Sequence, residues 1–108
     1  MVNLNRGDVY TVLYPFDDEE IEKLRPGIIL DSQNGRAIVI KVTSHEEREY
    51  DDGDYKIIHW EKAGLDRPSV ARCNQFVPLD YDKIAKYLGT LHEEDLLNIL
   101  EKIYKNFV

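Results

Sequence analysis

Arg25-Pro26-Gly27-Ile28-Ile29-Leu30, then Asn34-Gly35, then Ala37-Ile38-Val39-Ile40-Lys41-Val42-Thr43: this stretch decides the fold. Gly27–Leu30 and Ala37–Thr43 are short apolar runs rich in β-branched residues, the composition of strands. Asn34-Gly35 between them is a two-residue hairpin signal, because both residues tolerate the positive φ of a type I′ turn. Arg25 then opens the first strand and Thr43 closes the second. They stand nine residues before and nine after position 34, so an antiparallel hairpin brings them together at its open end. A guanidinium beside a hydroxyl at a strand end suits an anionic or phosphoryl group.

Working outward, Val9–Tyr14 reads as a preceding strand, ended by Pro15 and an acidic run. Tyr55–Ile58, Ser69–Cys73 and Phe76–Leu79 read as later strands, the last at an edge because of Pro78. A short helix fits Tyr81 to Leu88, closed by Gly89. Thr90-Leu91-His92-Glu93 has the form of a capping box. After it, Leu96, Leu97, Ile99, Leu100, Ile103, Tyr104 and Phe107 recur at helical spacing. The expectation is one domain over residues 1–108, mostly β with a C-terminal α-helix (α+β). It is a small antiparallel barrel or strongly curved sheet whose open face the helix covers.

The chain has 108 residues, 14 Lys and Arg against 21 Asp and Glu, and a formal charge of −7. Cys73 is its only cysteine, which excludes an intramolecular disulfide and a cysteine-rich metal site. With no apolar signal core and no long apolar run, a soluble cytoplasmic protein without membrane contact is expected. The negative charge looks unfavourable for nucleic acid, but it is segregated. Residues 17–23 carry −4 and residues 46–54 carry −5, leaving +2 for the rest. Both runs read as solvated loops.

Most catalytic classes find no support. His45, His59 and His92 are scattered without zinc spacing, and His92 falls at a helix cap. Asp51-Asp52-Gly53-Asp54 lacks the alternation and closing Glu of a calcium loop. No phosphate-binding glycine pattern or G-x-S-x-G elbow occurs. Cys73 sits in a short apolar strand and reads as a small buried hydrophobe rather than a nucleophile. No metal or cofactor is expected.

Arg6-Gly7-Asp8-Val9-Tyr10, Arg25-Pro26-Gly27-Ile28-Ile29-Leu30, Val42-Thr43-Ser44, Gly64-Leu65-Asp66-Arg67-Pro68-Ser69-Val70-Ala71-Arg72 and Asn74-Gln75 follow one another in order. As a set, closing in the C-terminal helix, they resemble the MazF/PemK/Kid toxins of prokaryotic toxin–antitoxin modules over nearly the whole chain. The resemblance implies an SH3-like curved barrel of the PemK/MazF/CcdB type and a homodimer. It implies a sequence-specific, metal-independent endoribonuclease of a type II system. Such an enzyme cuts single-stranded mRNA to 2′,3′-cyclic phosphate and 5′-hydroxyl ends, and a small antitoxin neutralises it.

By the same resemblance Arg25 matches the catalytic arginine and Thr43 the catalytic threonine. A fixed guanidinium stabilises the charge that builds on five-coordinate phosphorus, and the hydroxyl positions the phosphate or relays a proton. Arginine is a poor general base, which leaves His45, two residues past Thr43, as a local candidate for proton transfer; its other reading is a solvated strand-end histidine. Gln75, with Asn74 before it, matches a position that contacts RNA bases, and Ser44 completes the Thr-Ser strand end. Tyr14 and Phe16 flank Pro15, where an aromatic ring can stack on an unpaired base; the other reading of Tyr14 is barrel core. Trp60 reads as core or interface. The segment Asp17–Leu24 is acidic and lacks the glycines usual before the Arg-Pro pair, which bears on substrate preference. The competing reading is a non-catalytic binder of the same fold, either a gyrase-poison type or a degenerate nucleic-acid binder.

Overall fold

A computed structural model describes residues 4–14, 23–44 and 53–107. Its elements are β1 (Asp8–Tyr14), β2 (Lys23–Gln33), β3 (Arg36–Ser44), β4 (Asp54–Lys56), β5 (Ser69–Asp80), a 3-10 turn (Tyr81–Lys83), β6 (Ile84–Thr90) and α1 (Glu93–Phe107). The six strands form one sheet in the order β4-β5-β3-β2-β1-β6, with every pairing antiparallel. The sheet does not close, but extents of 30 × 30 × 29 Å are those of a curled sheet rather than a flat one.

The hairpin expected at Asn34-Gly35 is present. Their φ values of 56° and 80° are both in the left-handed region that a type I′ turn demands. Near the turn the register runs Gln33↔Arg36, Ser32↔Ala37 and Asp31↔Ile38. Carried straight on, it would set Arg25 opposite Ser44. An irregularity between Ile29 and Asp31 slips it by one, to Ile29↔Val39, Ile28↔Ile40 and Gly27↔Lys41. Extended past Gly27, the slipped register would set Arg25 opposite Thr43. The ladder stops at Gly27, just after Pro26, which has no N–H to offer.

Both faces of the sheet are buried. On one, Val9, Ile28, Ile40, Val42, Ala71 and Cys73 lie under α1, which inserts Ile99 with Leu96 and Ile103 beside it. On the other, Tyr10, Val12, Tyr14, Ile29, Val39 and Leu79 pack together, with Tyr81 and Ile84 at their margin. The helix therefore covers the open face as its periodicity predicts. Fully burying Ile99 alone is worth about 2 kcal/mol.

Three expectations are corrected. Residues 81–88 do not form a helix: one 3-10 turn leads into β6, which pairs Ile84, Tyr87, Gly89 and Thr90 with β1. The free edge of β1 offers a row of backbone groups, and pairing with it outweighs weak helical spacing. The strands expected over 69–73 and 76–79 are one strand, β5. It pairs with β3 through Ser69–Ala71 and again through Phe76–Asp80, and residues 72–75 bulge between. Thr90 does not cap α1. The helix starts at Glu93, and His92 caps it, its Nδ1 accepting from the Glu94 N–H at 3.0 Å. Thr90 instead donates its hydroxyl to Asp8 Oδ1 at 3.0 Å. No helix among the described residues is long and apolar enough to cross a membrane.

Candidate active site

The start of β2 and the end of β3 open into a cleft of about 530 Å³, a size that ligand pockets commonly have. Arg25 and Thr43 both line it, with Ser44, Leu24, Pro26 and Val42. Thr11 of β1, Leu88 of β6 and Ser69 of β5 contribute further wall, and residues 64–67 complete the lining. Arg25 is exposed, and no hydrogen bond or ion pair engages its side chain among the described residues. Thr43 is half-buried and fixed by pairing with Val70 of β5. An unengaged guanidinium and a positioned hydroxyl in one cleft are groups whose chemistry suits an anion.

Gly27 is a packing requirement of this corner. A Cβ there would come within 2.5 Å of both the Tyr14 hydroxyl and Val39. Tyr14 is 2% exposed and donates its hydroxyl to the Pro26 carbonyl at 3.0 Å. Burial pushes its phenol far above the usual range. So enclosed, the ring has no face open to a base; Tyr14 belongs to the core and braces the Arg-Pro-Gly corner from behind.

The sequence gives no role to Arg67, the second cationic residue of the cleft lining. Its loop is anchored, because Gly64 has φ +82° and a Cβ there would overlap the Leu88 carbonyl. Ser69 donates its hydroxyl to the Arg67 carbonyl at 2.9 Å. The signal is present in Gly64-Leu65-Asp66-Arg67-Pro68-Ser69, but only the fold brings that loop into the cleft that Arg25 lines.

Asn74 and Gln75 do not line the cleft. They sit on the β5 bulge in a separate cluster, where the Gln75 amide oxygen, in its satisfied orientation, accepts from the Arg72 guanidinium at 2.9 and 3.2 Å. Arg72 Nε is 3.7 Å from the buried Asp54 carboxylate. Phe16, His45 and most of both acidic runs lie outside the described residues.

The fold gathers two histidines that are far apart in sequence. His59 and His92 stack with ring centroids 4.0 Å apart, and Glu94 completes the one cluster with metal-ligand atoms among the described residues. Each of the three residues already has such an atom engaged: His59 Nε2 lies 2.9 Å from Glu94 Oε1, and His92 Nδ1 accepts the Glu94 N–H. Lone pairs of nearly parallel rings do not aim at one point, so the group acts as a clasp on the α1 N-terminus. Cys73 is fully buried, and burial pushes its thiol up to about 11, unlike an activated nucleophile.

A curled antiparallel sheet with a covering helix, and a cleft at its strand ends lined by an arginine and a threonine, defines a small, mostly β domain. Residues 5–107 match the family model described as PemK-like, MazF-like toxin of type II toxin–antitoxin system, and the chain belongs to that family. Among curated protein sequences, none matches. The fold is similar to that of Mycobacterium tuberculosis toxin MazF-mt6, with a TM-score of 0.73 and 18% identity over 93% of this chain and 95% of that one. It is similar to a mycobacterial endoribonuclease solved in complex with its cognate antitoxin (TM-score 0.70, 15% identity, 96% and 93% covered). MazF from Deinococcus radiodurans is a third such structure (TM-score 0.70, 18% identity, 97% and 96% covered).

Proposed function

We propose that this protein is the endoribonuclease toxin of a type II toxin–antitoxin system, cutting single-stranded RNA without a metal ion. The observation that carries the reading is the meeting of Arg25 and Thr43 in one cleft, in a chain of this family. The RNA 2′-hydroxyl attacks the adjacent phosphorus and the 5′-oxygen leaves, giving a 2′,3′-cyclic phosphate and a 5′-hydroxyl. Arg25 faces the charge that develops on the phosphoryl oxygens, where a permanently ionised, preorganised fork is most effective. Thr43 holds the phosphate against it. The attacking hydroxyl must lose a proton and the leaving oxygen must gain one; His45, two residues beyond Thr43, is proposed to serve one of these transfers. Ser44 at the cleft, and Phe16, Asn74 and Gln75 outside its described lining, are proposed to contact the bases. The same reading makes the protein a cytoplasmic homodimer held inactive by a small antitoxin.

The test is incubation of the purified protein with a long single-stranded RNA in EDTA, followed by end-group analysis. Cleavage with cyclic phosphate ends is expected, and Arg25→Ala or Thr43→Ala should each lower the rate by at least 100-fold, roughly the loss on removing one transition-state donor. Protein that leaves diverse RNAs intact yet still arrests growth would replace this reading with a toxin that acts by protein contact.

A further inference from the structure

The cleft holds a second cation that the cleavage chemistry has not used. Arg25 and Arg67 both line it, Arg25 from β2 and Arg67 from the segment before β5, and Asp66 is the only acidic residue in the described lining. The lining is thus net positive within a chain of −7. Arg67 is presented by a rigid support: Gly64 is seated against Leu88 with no room for a side chain, and Ser69 ties the Arg67 carbonyl. Its guanidinium remains adaptable. Nε reaches the neighbouring Asp66 at 3.3 Å, with the two side chains 61% and 85% exposed, an ion pair weak enough for a phosphate to displace.

We infer that Arg67 is a second phosphate ligand, which binds the RNA phosphodiester next to the one held at Arg25 and sets the direction in which the strand crosses the cleft. Asp66 holds the guanidinium in place while the cleft is empty and competes with RNA for it. This rests on the ribonuclease reading. It assigns Arg67 to binding rather than chemistry, since the attacking and leaving oxygens belong to the phosphate at Arg25.

The test uses a single-stranded oligoribonucleotide made uncleavable by 2′-O-methylation, titrated against wild type, Arg67→Ala, Arg67→Gln and Asp66→Asn over a range of salt. Removing one phosphate contact should lower the slope of log affinity against log salt by about 0.7. Affinity of both Arg67 variants should fall about tenfold, and Asp66→Asn should bind more tightly than wild type. With cleavable RNA, Arg67→Ala should raise KM and leave kcat nearly unchanged, whereas Arg25→Ala lowers kcat. Unchanged thermal midpoints keep a folding defect from imitating the result. Wild-type affinity and slope in both Arg67 variants would overturn the inference while leaving the ribonuclease reading intact. Wild-type protein that neither binds nor cuts single-stranded RNA would overturn both.

Discussion

One carboxylate, Asp95, fastens α1 to the chain ahead of it. It is fully buried and accepts three hydrogen bonds, from the Tyr55 hydroxyl at 2.7 Å, the Ile58 N–H at 2.9 Å and the His59 N–H at 2.8 Å. β4 ends at Lys56 although Ile57 and Ile58 extend its strand-like composition: the Ile57 N–H still donates to the Ser69 carbonyl at 3.0 Å, but the register then runs into Pro68, which has no N–H, and Asp95 holds the Ile58 and His59 donors. Burial, and then the bond to Asp95, pushes the Tyr55 phenol from 10.0 up to about 12. Below pH 10 the phenol is protonated folded or unfolded, and its contribution is fully present. Between pH 10 and about 12 the unfolded phenol ionises first, which favours unfolding, so stability falls across that window. Tyr55→Phe is expected to cost about 1.5 kcal/mol at pH 7, the worth of a hydrogen bond to a charged acceptor. It should also flatten the alkaline fall, as urea unfolding at pH 7, 9 and 11 would reveal. An undiminished alkaline slope in Tyr55→Phe would assign the pH dependence to other groups.

Among the elements, the β2–β3 hairpin carries Arg25 and Thr43, the two residues proposed to do the chemistry, and is also the most legible. Its turn chemistry and its apolar runs were local, and local signals are what a sequence displays. Counting outward from position 34 paired Arg25 with Thr43, but the turn's own register would have paired Arg25 with Ser44; the irregularity near Leu30 restores the match, and nothing local announces it. Arg67 and the stacked His59 and His92 were illegible for a related reason, since each depends on contacts between distant segments. β6 was misread because seven residues with mixed apolar spacing fit either period, and only the vacant edge of β1 decides between them. The hairpin also makes a sharp demand at Gly27. An added methyl there meets both the Tyr14 hydroxyl and Val39, neither of which has room to retreat in the core. Gly27→Ala is expected to cost about 1–3 kcal/mol and to disturb the Arg25 corner it adjoins. A thermal midpoint equal to wild type would show that the corner repacks freely.

For the whole molecule, the question is how a chain of −7 would bind the polyanion proposed as its substrate. The acids are attached at the strand ends that form the cleft. Residues 17–23 connect β1 to the start of β2, and residues 46–54 begin two residues after Ser44. Covalent geometry alone bounds their distance from the site: at 3.8 Å per residue, the Cα of Glu20 is within about 19 Å of that of Arg25, and Asp17 within about 30 Å. The Debye length is about 8 Å at physiological salt and about 30 Å at 0.01 M. The repulsion is therefore mostly screened in ordinary buffer and felt throughout the cleft at low ionic strength. A strand that engages both arginines overcomes it through direct contacts, and one that engages only Arg25 does not, so the acids favour well-seated substrates. Replacing Asp17, Asp18, Glu19 and Glu20 by their amides should strengthen RNA binding at 0.01 M salt by about tenfold, an effect of a few like-charge interactions in water at these distances. At 1 M salt, where the screening length is about 3 Å, the difference should vanish. The same variant should discriminate less between matched and mismatched oligonucleotides at low salt. Equal affinity and equal discrimination at 0.01 M would show that these acids only keep the protein soluble.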